Sequence, residues 1–436
     1  MEKAYETYKD SGIEWIGKIP ESWTNVPLKH IANTFGRIGY RGYTVADIVD
    51  EGNGAISLSP SNINNQRLVF NKKTFISWEK YDESPEIQIF EGDVVLVKTA
   101  SVGKATIIDD LKDFKATINP QLVVFKEIKF DKKYFYYCLI SDLIQKRIES
   151  ETNGGVVGTL TQQSINTYDF PKPSLQEQTQ IAAYLDYHTQ LIDNLISKKE
   201  TLIQELQEQR KAIINEAVTK GVNKNVALKD SGIEWLGEIP EHWEVVKLRY
   251  LVDHSTVKGD GTSTFKIALE NIESNTGRLL FEDSKEFQGE LKLFEKGDVL
   301  FNKLRPYLAK VLLAPEDGEC VSELLVFRAL DNVLSNEFLF YRMISEQIIS
   351  IVDSSTYGAK MPRASVDFIL NISLALPSLK EQVEIVSGIT KKLTIAENLK
   401  NQTITSIQKL KEYRQSLISE AVTGKIDVRD WQRPNN

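Results

Sequence analysis

An internal duplication constrains the fold of this chain more than any other feature of its sequence. The segment KDSGIEWIGKIPESW, which begins at Lys9, returns as KDSGIEWLGEIPEHW at Lys229, 220 residues later. The motif Pro-Ser-Leu-x-Glu-Gln occurs at residues 173–178 and again 204 residues later, and Glu-Ala-Val-Thr at 216–219 recurs at the same displacement. Repeats of this length set the architecture of a chain. The sequence therefore predicts two halves, each with a repeated segment, a variable module and a long helix.

The displacement between matching positions changes along the modules. Asn62 matches Asn271 at a displacement of 209, and the Gly-Asp-Val motifs at Gly92 and Gly297 match at 205. Most of the 16 extra residues of the first half therefore precede Asn62, around residues 36–43. Conserved ends with a divergent middle are what a protein that recognises two different sites would need. Drift after duplication is the alternative interpretation.

Both modules carry short β-branched runs bounded by Gly, Asn or Pro, a pattern typical of strands. The predicted strands are 93–98, 105–109 and 121–127 in the first module, and 298–303, 309–314 and 323–329 in the second. An amphipathic helix should follow each set, because apolar residues then recur at helical spacing. Its apolar positions are Phe135, Cys138, Leu139 and Leu143 in the first module, and Phe338, Tyr341, Met343 and Ile344 in the second. The modules are thus predicted to be mixed α/β.

A sustained helical pattern follows each module, over residues 178–220 and 382–423. Apolar residues fit an imperfect heptad seam, and Gly221 and Gly424 are typical helix stops. At 1.5 Å per residue each helix would be roughly 60 Å long. Two such helices most simply form an antiparallel coiled coil, if the intervening module folds back between them. Two independent helices, each packed on its own module, are the alternative.

The predicted organisation has seven segments. They are an N-terminal frame segment (1–27), a first globular domain (28–176), a central long helix (177–221), the repeated frame segment (222–247), a second globular domain (248–380), a C-terminal long helix (381–424) and a tail (425–436).

Charge counts against a polybasic nucleic-acid binder. The 436 residues carry a formal net charge of −8, whereas such proteins usually have an excess of Lys and Arg. Residues 28–151 contain 17 basic and 17 acidic side chains, and residues 248–353 contain 12 and 18. Any DNA contact must therefore use local clusters of cations.

Motifs for catalysis or metal binding are weak. Residues 102–105 lack the first glycine and the Ser/Thr of a phosphate loop, and residues 119–121 lack the second proline and the aromatic residue of the motif with which amino-methylating enzymes hold a flipped base. The four histidines are scattered and are expected on the surface or in helices. Cys138 and Cys320 have no CxxC spacing and are expected in the core. We expect no catalytic residue, metal or cofactor in this chain.

No basic and apolar leader and no apolar run of 18 residues is evident, so the sequence predicts a cytoplasmic protein without a membrane segment.

Taken in order, the duplicated Ser-Gly-Ile-Glu-Trp segments, the Pro-Ser-Leu-x-Glu-Gln helix starts, the Gly-Asp-Val motifs and Glu-Ala-Val-Thr resemble the specificity subunits of type I restriction-modification systems. The resemblance covers essentially the whole chain. It implies two pseudo-symmetric target-recognition domains that each recognise half of an interrupted double-stranded DNA site, joined by two conserved helices that space them. It also implies that two methyltransferase subunits dock on those helices and that restriction/translocase subunits complete the complex. S-adenosylmethionine, ATP and Mg would belong to those partners only.

Candidate DNA contacts follow from residue chemistry and position. Arginines in a glycine-rich loop can approach guanine edges or phosphates closely, although solvated loop charges are the alternative. The residues following the Gly-Asp-Val strands, and those of the loop before the second long helix, are further candidates. The predicted contacts are Arg37, Tyr40, Arg41, Lys98, Ser101, Lys104, Lys303, Arg305, Tyr307, Lys360 and Arg363.

Three pairs of residues shared by both halves, one of asparagines and two of tryptophans, are weaker candidates for DNA contact. Asn62 and Asn271 are lower-ranked candidates for adenine, because matching asparagines more often close a turn. The repeated tryptophans, Trp15, Trp23, Trp235 and Trp243, favour packing or docking, because a shared frame cannot explain two different half-sites.

Two other functions remain open from the sequence. A coiled-coil stalk that presents two divergent modules to a ligand other than DNA would suit the acidic composition. An enzyme with an unfamiliar site would suit the length but has no supporting motif.

Overall fold

The chain folds into two compact units, each containing one module and half of each long helix. The computed structural model describes residues 3–37, 42–64, 66–152, 158–280, 289–358 and 360–434. The first unit comprises residues 1–198 and 405–436, and the second unit comprises residues 199–404. Both boundaries fall inside the long helices, so the chain enters and leaves the second unit through helical residues.

The first unit is built on two sheets. Its strands are β1 (Tyr8–Asp10), β2 (Lys18–Pro20), β3 (Thr24–Pro27), β4 (Asn33–Gly36), β5 (Ile48–Val49), β6 (Gly54–Leu58), β7 (Ile63–Asn64), β8 (Arg67–Leu68), β9 (Phe75–Ser77), β10 (Gln88–Ile89), β11 (Val94–Val97), β12 (Ala105–Ile107), β13 (Ala116–Ile118), β14 (Leu122–Lys126) and β15 (Asp169–Lys172). Its helices are α1 (Trp78–Asp82), α2 (Lys132–Ile140), α3 (Asp142–Thr152), α4 (Gln162–Ile165) and α5 (Leu175–Lys220), which continues into the second unit.

One sheet has the antiparallel order β12-β11-β14-β4, and the other has the order β10-β13-β6-β9-β5 with β13 and β6 parallel. Alternate side chains of β11, such as Val95 and Val97, join a buried core with residues of the second sheet such as Ile56. The opposite face packs on α2, where the rings of Phe125 and Phe135 lie 5.4 Å apart.

The second unit repeats this plan. Its strands are β16 (Leu228–Asp230), β17 (Glu238–Pro240), β18 (Glu244–Lys247), β19 (Val252–Ser255), β20 (Lys266–Ile267), β21 (Leu291–Phe294), β22 (Val299–Asn302), β23 (Val311–Leu313), β24 (Gly318–Val321), β25 (Leu324–Ala329) and β26 (Ser373–Leu376). Its helices are α6 (Asn336–Met343), α7 (Glu346–Ser354), α8 (Val366–Leu370) and α9 (Leu379–Val422). The order β19-β25-β22-β23 matches β4-β14-β11-β12 of the first unit, and the second sheet is β20-β24-β21.

The structure confirms the predicted mixed α/β class and the core strands after both Gly-Asp-Val motifs. The long helices contain 46 and 44 residues and begin three residues before the predicted starts. Ser174 and Ser378 account for the earlier start, because their hydroxyls accept hydrogen bonds from the amides of Glu177 (3.3 Å) and Glu381 (3.4 Å).

Within each unit the two long helices run antiparallel, as predicted. In the first unit the Tyr134 hydroxyl lies 2.9 Å from the carbonyl of Pro171, just before α5, and 3.3 Å from that of Val422, where α9 ends. In the second unit a Cβ on Gly221, just after α5, would lie 3.3 Å from Oε1 of Glu381, where α9 begins. The end of one helix therefore lies beside the start of the other in both units.

The repeated frame segment packs against the helix ends. Trp23 and Trp243 are fully buried. A Cβ on Gly424 would lie 3.1 Å from the Trp23 ring, and one on Gly221 would lie 3.4 Å from the Trp243 ring, so both glycines permit close approach. Both also have a positive φ, 72° and 75°, which favours glycine. These contacts confirm the packing interpretation for Trp23 and Trp243.

Membrane-spanning helices are absent from the described part of the chain, where no helix is both long and apolar enough.

Candidate nucleic-acid interface

Three segments of the second unit meet at one end of its four-stranded sheet. Lys303 follows β22, and its amide donates to the carbonyl of Glu323, the residue before β25 (3.2 Å). The carbonyl of Lys303 accepts from the amide of Ala364 (3.0 Å), and the amide of Arg305 donates to the carbonyl of Pro362 (2.7 Å). These backbone bonds tie the loop before α8 to the sheet, and we name this surface the second sheet end.

Four predicted contact residues with positive charge lie at the second sheet end, and two of them, Lys303 and Arg363, lie beside the carboxylate of Glu323. Arg363 donates to Glu323 through Nη2 (2.6 Å to Oε1) and Nε (3.3 Å to Oε2). Nζ of Lys303 lies 3.9 Å from Oε2 of the same carboxylate. Arg305 donates from Nη2 to the carbonyl of Lys360 (3.4 Å), whose own side chain is exposed. The structure thus brings together four predicted cations from two segments, and it adds Glu323 beside Lys303 and Arg363.

Tyr307 projects from a strained turn at the same end. Arg305 and Ala309, on either side of the turn Pro306–Leu308, have left-handed backbones with φ of 51° and 46°. Such conformations are costly for residues with a Cβ and persist where the surroundings hold them. Buried Pro306 anchors the turn, while the Tyr307 side chain stays 52% exposed. The turn therefore presents an aromatic ring beside the cations.

Two further basic residues lie behind the second sheet end. Nζ of Lys292 on β21 donates to the carbonyls of Ser322 (3.0 Å) and Leu324 (2.9 Å). His254 lies half-buried on β19, not on the surface or in a helix as the sequence suggested. Burial lowers the pKa of His254, and the positive charges of Lys292 and Lys303 lower it further.

Sequence reasoning missed Glu323, His254 and Lys292. A usable signal existed for Glu323, because it directly precedes the third predicted strand, as Gln121 does in the first module. Local sequence held no such signal for His254 and Lys292, since only the folded sheet brings them to Lys303.

The first unit has the same backbone arrangement with different side chains. The amide of Lys98 donates to the carbonyl of Gln121 (2.8 Å), and its carbonyl accepts from the amide of Leu160 (2.8 Å). Thr99 and Thr159 form an isolated bridge, as Leu304 and Arg363 do in the second unit. Gln121 and Thr159 thus stand where the second unit has Glu323 and Arg363. We name this surface the first sheet end.

Lys98, Ser101 and Lys104 lie together in the loop of the first sheet end. Lys98 is half-buried, and burial lowers its pKa, whereas Lys104 is exposed. Gly103, with φ of 91°, donates to the carbonyl of Val97 (3.0 Å) and accepts from Nε2 of Gln145 on α3 (3.0 Å). The loop is therefore held on the module by its backbone.

Arg37 lies away from the surface. Its side chain is 4% exposed and donates to the carbonyl of Ile118 (3.0 Å) and the hydroxyl of Thr117 (3.1 Å). Burial lowers the pKa of its guanidinium. The structure therefore does not present Arg37 to a DNA duplex. Tyr40 and Arg41 lie outside the described residues.

Asn62 and Asn271 both close turns, the alternative that the sequence favoured for them. Oδ1 of Asn62 accepts from the amide of Ser59 (2.9 Å), and its Nδ2 donates to the carbonyls of Val69 and Lys72. Oδ1 of Asn271 accepts from the amide of Ala268 (2.7 Å). Hydrogen bonds within the module thus occupy both the oxygen and the nitrogen of the Asn62 side-chain amide.

The Gly-Asp-Val aspartates also have structural roles. Asp93 accepts from the amide of Phe90 (2.9 Å) and from Nζ of Lys126 (2.8 Å). Asp298, almost completely buried, accepts two bonds of 2.9 Å from Arg328. Each aspartate joins the turn before one strand to the neighbouring strand.

Comparison with known proteins agrees with this duplicated geometry. The model of the type I restriction modification DNA specificity domain matches residues 20–207 and 240–409. The chain belongs to this family. It carries the specificity domain twice, which confirms the resemblance drawn from the repeated motifs and does not favour the non-DNA alternative.

Two similar proteins are type I restriction enzyme specificity subunits. That of MjaVIII from Methanocaldococcus jannaschii is 28% identical over 69% of this chain and 71% of its own length. That of EcoDI from Escherichia coli is 24% identical over 72% of this chain and 74% of its own length. A solved chain from a study of complex assembly and conformational transition in the type I R-M system covers 94% of this chain and 99% of its own length, at 16% identity and a TM-score of 0.67. This last likeness concerns the fold alone.

Proposed function

We propose that this specificity subunit recognises a two-part DNA target, with one half-site bound at each sheet end, and directs adenine methylation or restriction by partner subunits. One observation carries the proposal. Two copies of a DNA specificity domain share their backbone hydrogen bonds at the sheet ends, yet differ there in side chains, as with Gln121 and Glu323. The same scaffold with different contact residues suits two half-sites of different sequence.

Local charge makes DNA binding compatible with an acidic chain. Lys303, Arg305, Lys360 and Arg363 lie at the second sheet end with one neighbouring carboxylate, that of Glu323, although the whole chain has a net charge of −8. Cations that contact phosphates release counterions, so binding should weaken steeply with salt. We place Lys98, Ser101 and Lys104 in contact with one half-site. We place the cations of the second sheet end, together with Tyr307, in contact with the other half-site. We leave buried Arg37, Asn62 and Asn271 out of these contacts.

Each predicted domain would have a separate role in this function. Residues 28–176 and 248–380 would be the target-recognition domains, and residues 177–221 and 381–424 the helices that space them and dock two methyltransferase subunits. Equivalent domains suit half-sites about one helical turn apart, where the same groove faces the protein again. Restriction and translocase subunits would join this assembly.

Catalysis would reside in the partners, because specificity subunits of type I systems are non-catalytic. S-adenosylmethionine, ATP and Mg are then cofactors of those subunits. The thiols of this chain agree with that division, since burial raises the pKa of Cys138, and raises that of Cys320 to about 12, which suppresses reactive thiolate.

The decisive experiment maps modified adenines across a genome when this chain is co-expressed with its neighbouring methyltransferase subunit. We expect methylation confined to one split motif, which disappears when this chain is omitted. If the chain associated with the methyltransferase but methylation followed no DNA motif, the chain would act only as an adaptor. Methylation that is unchanged without this chain would contradict the proposal outright.

A further inference from the structure

The two side chains of the Arg363–Glu323 ion pair differ in how far they are exposed. The Arg363 side chain is 44% exposed, whereas that of Glu323 is 23% exposed. The carboxylate is thus the more buried member of the pair, on the residue that directly precedes β25. It engages one edge of the arginine, through Nε and Nη2.

We propose that Arg363 recognises a guanine in the half-site of the second unit, and that Glu323 is the positioning residue that orients it. The inference rests on the proposed function and deepens it, because it assigns a base to one side chain. A guanidinium has five N–H donors in one plane. With its Nε edge held by Glu323, the donors at the Nη1 end remain directed away from the carboxylate, in a pair that matches O6 and N7 of guanine.

Backbone hydrogen bonds hold both residues of the pair in place. Arg363 exchanges two backbone hydrogen bonds of 3.1 Å with Tyr357, and the carbonyl of Glu323 accepts from the amide of Lys303. A flexible arginine loses rotamer entropy when it binds a base, whereas one that is already oriented loses less. The pair is thus organised before DNA arrives.

Charge separates base recognition from phosphate binding at this position. Glu323 offsets part of the positive charge of Arg363, which weakens its attraction to phosphate but leaves its directional donors. Exposed Lys360 lies in the same loop and has no carboxylate partner among the described residues. Phosphates should therefore be attracted to Lys360, while Arg363 contributes discrimination between bases.

The first unit supports a role in specificity because it lacks this pair. Thr159 and Gln121 occupy the equivalent backbone positions, and Oε1 of Gln121 accepts from Nδ2 of Asn119 (3.1 Å). A pair needed only for folding would be expected in both units, since Lys98 and Lys303 make equivalent backbone hydrogen bonds here. Its restriction to one unit fits a difference between half-sites.

The test compares the wild-type complex with Glu323→Gln, Arg363→Ala and Lys360→Ala, each with its methyltransferase. Adenine mapping defines the motif, and binding to duplexes with single-base changes measures discrimination. We expect Arg363→Ala to lose preference for one guanine in one half-site. Glu323→Gln should reduce that preference roughly tenfold, while discrimination at every other position stays the same. Lys360→Ala, the matched control, should weaken binding to all sequences alike and reduce its salt dependence.

The outcomes separate this inference from the proposed function. No split motif for the wild-type complex would contradict the proposed function itself. A split motif that is unchanged in Arg363→Ala, or an equal loss of affinity for all bases in Glu323→Gln, would overturn the guanine assignment alone. If Arg363→Ala failed to fold, Arg363→Lys would decide, because lysine keeps the charge but cannot match both acceptors from a planar fork, so the guanine preference should still fall.

Discussion

Arg342 on α6 places a positive charge inside the second unit without a carboxylate partner among the described residues. Its Nη1 donates to Oε1 of Gln347 (3.1 Å), and its guanidinium lies 5.8 Å from the Trp235 ring. In the described structure, Nε and Nη2 have no hydrogen-bond partner. Burial lowers the pKa of this arginine to about 9. The equivalent residue of the first unit is Cys138, which is apolar and equally buried.

We expect Arg342→Met to raise the free energy of unfolding by about 1–3 kcal/mol at pH 7, because the variant removes buried donors without partners. The folded-state pKa lies below the unfolded value, so the unfolded state binds more protons above pH 9 and wild-type stability rises there. The gain should therefore shrink above pH 9. Urea unfolding at pH 7 and pH 10 measures both effects. The exposed Arg249→Met is the control and should change stability by less than about 0.5 kcal/mol; a loss of stability in Arg342→Met would show that the arginine is structurally required.

His254 should make the stability of the second unit depend on pH. Its folded pKa lies below the ordinary value of 6.5, through burial first and then through Lys292 and Lys303. The unfolded state therefore takes up the proton more readily, and stability falls as pH decreases below about 6.5. His254→Gln should flatten the slope of unfolding free energy against pH between 5 and 7. Equal slopes in both proteins would contradict this account.

Residue-level prediction from sequence succeeded where chemistry is local and failed where it is not. Asn62 and Asn271 close turns within ten residues along the chain, and the favoured interpretation was right. Arg37 was expected to be able to contact DNA because glycines surround it, but it folds inward onto Ile118, 81 residues away. The glycine pattern indicates a tight loop without indicating the direction of a side chain.

At the scale of elements, the strands beside the Gly-Asp-Val motifs were predictable because β-branched runs and turn residues bound them closely. Helices α5 and α9 were predictable because their apolar period persists over more than 40 residues. The short strands of the second sheets, such as β5 and β20 with two residues each, carry too little pattern to be recognised. Their position depends on pairing with distant strands.

Equivalent arginines on the long helices hold a hairpin tip in each unit. In the second unit Arg210 on α5 donates to the carbonyls of Asn275 (3.4 Å) and Thr276 (2.9 Å). In the first unit Arg414 on α9, 204 residues later, donates to Oε1 of Gln66 (3.1 Å). Asn275 and Gln66 both have left-handed backbones, with φ of 64° and 62°. Each long helix thus contacts the module that it does not directly follow in the chain.

Replacing either arginine should loosen one module on its helix. We expect Arg210→Ala to speed amide exchange at residues 273–278, and Arg414→Ala to speed it at 62–68, each without changing the other region. The cost in stability should be about 1 kcal/mol, the usual contribution of such hydrogen bonds. In the complex with methyltransferase, a loosened module should also accept half-sites separated by one base pair more or less. Unchanged exchange at both hairpins would contradict the coupling between helix and module.

At the scale of the whole molecule, duplication explains why an acidic chain can still bind DNA. Recognition requires only two small surfaces, whereas the frame segments and long helices, which make up the shared part, can carry any charge compatible with folding and docking. The first module is neutral and the second is acidic by count. Lys98 and Lys104 nevertheless lie together at the first sheet end, and Lys303 and Arg305 lie at the second. Net charge was therefore a poor guide to function here, while the pattern of repetition was a good one.

Substitutions at one sheet end should impair binding only at the half-site that this sheet end contacts. Lys303→Ala with Arg305→Ala removes two cations from the second sheet end and leaves Lys98 and Lys104 of the first sheet end in place. We expect the double variant to lose discrimination and affinity at one half-site only, because a lost contact there cannot alter base contacts made by a separate module.

The measurement is binding by the methyltransferase complex to three duplexes, in which the first, the second or both half-sites are scrambled. The double variant should no longer distinguish the intact duplex from the one with its second half-site scrambled, yet should still discriminate against scrambling of the first. Lys98→Ala with Lys104→Ala is the matched control and should show the reverse pattern. Equal loss at both half-sites in either double variant would mean that the modules do not recognise their half-sites independently.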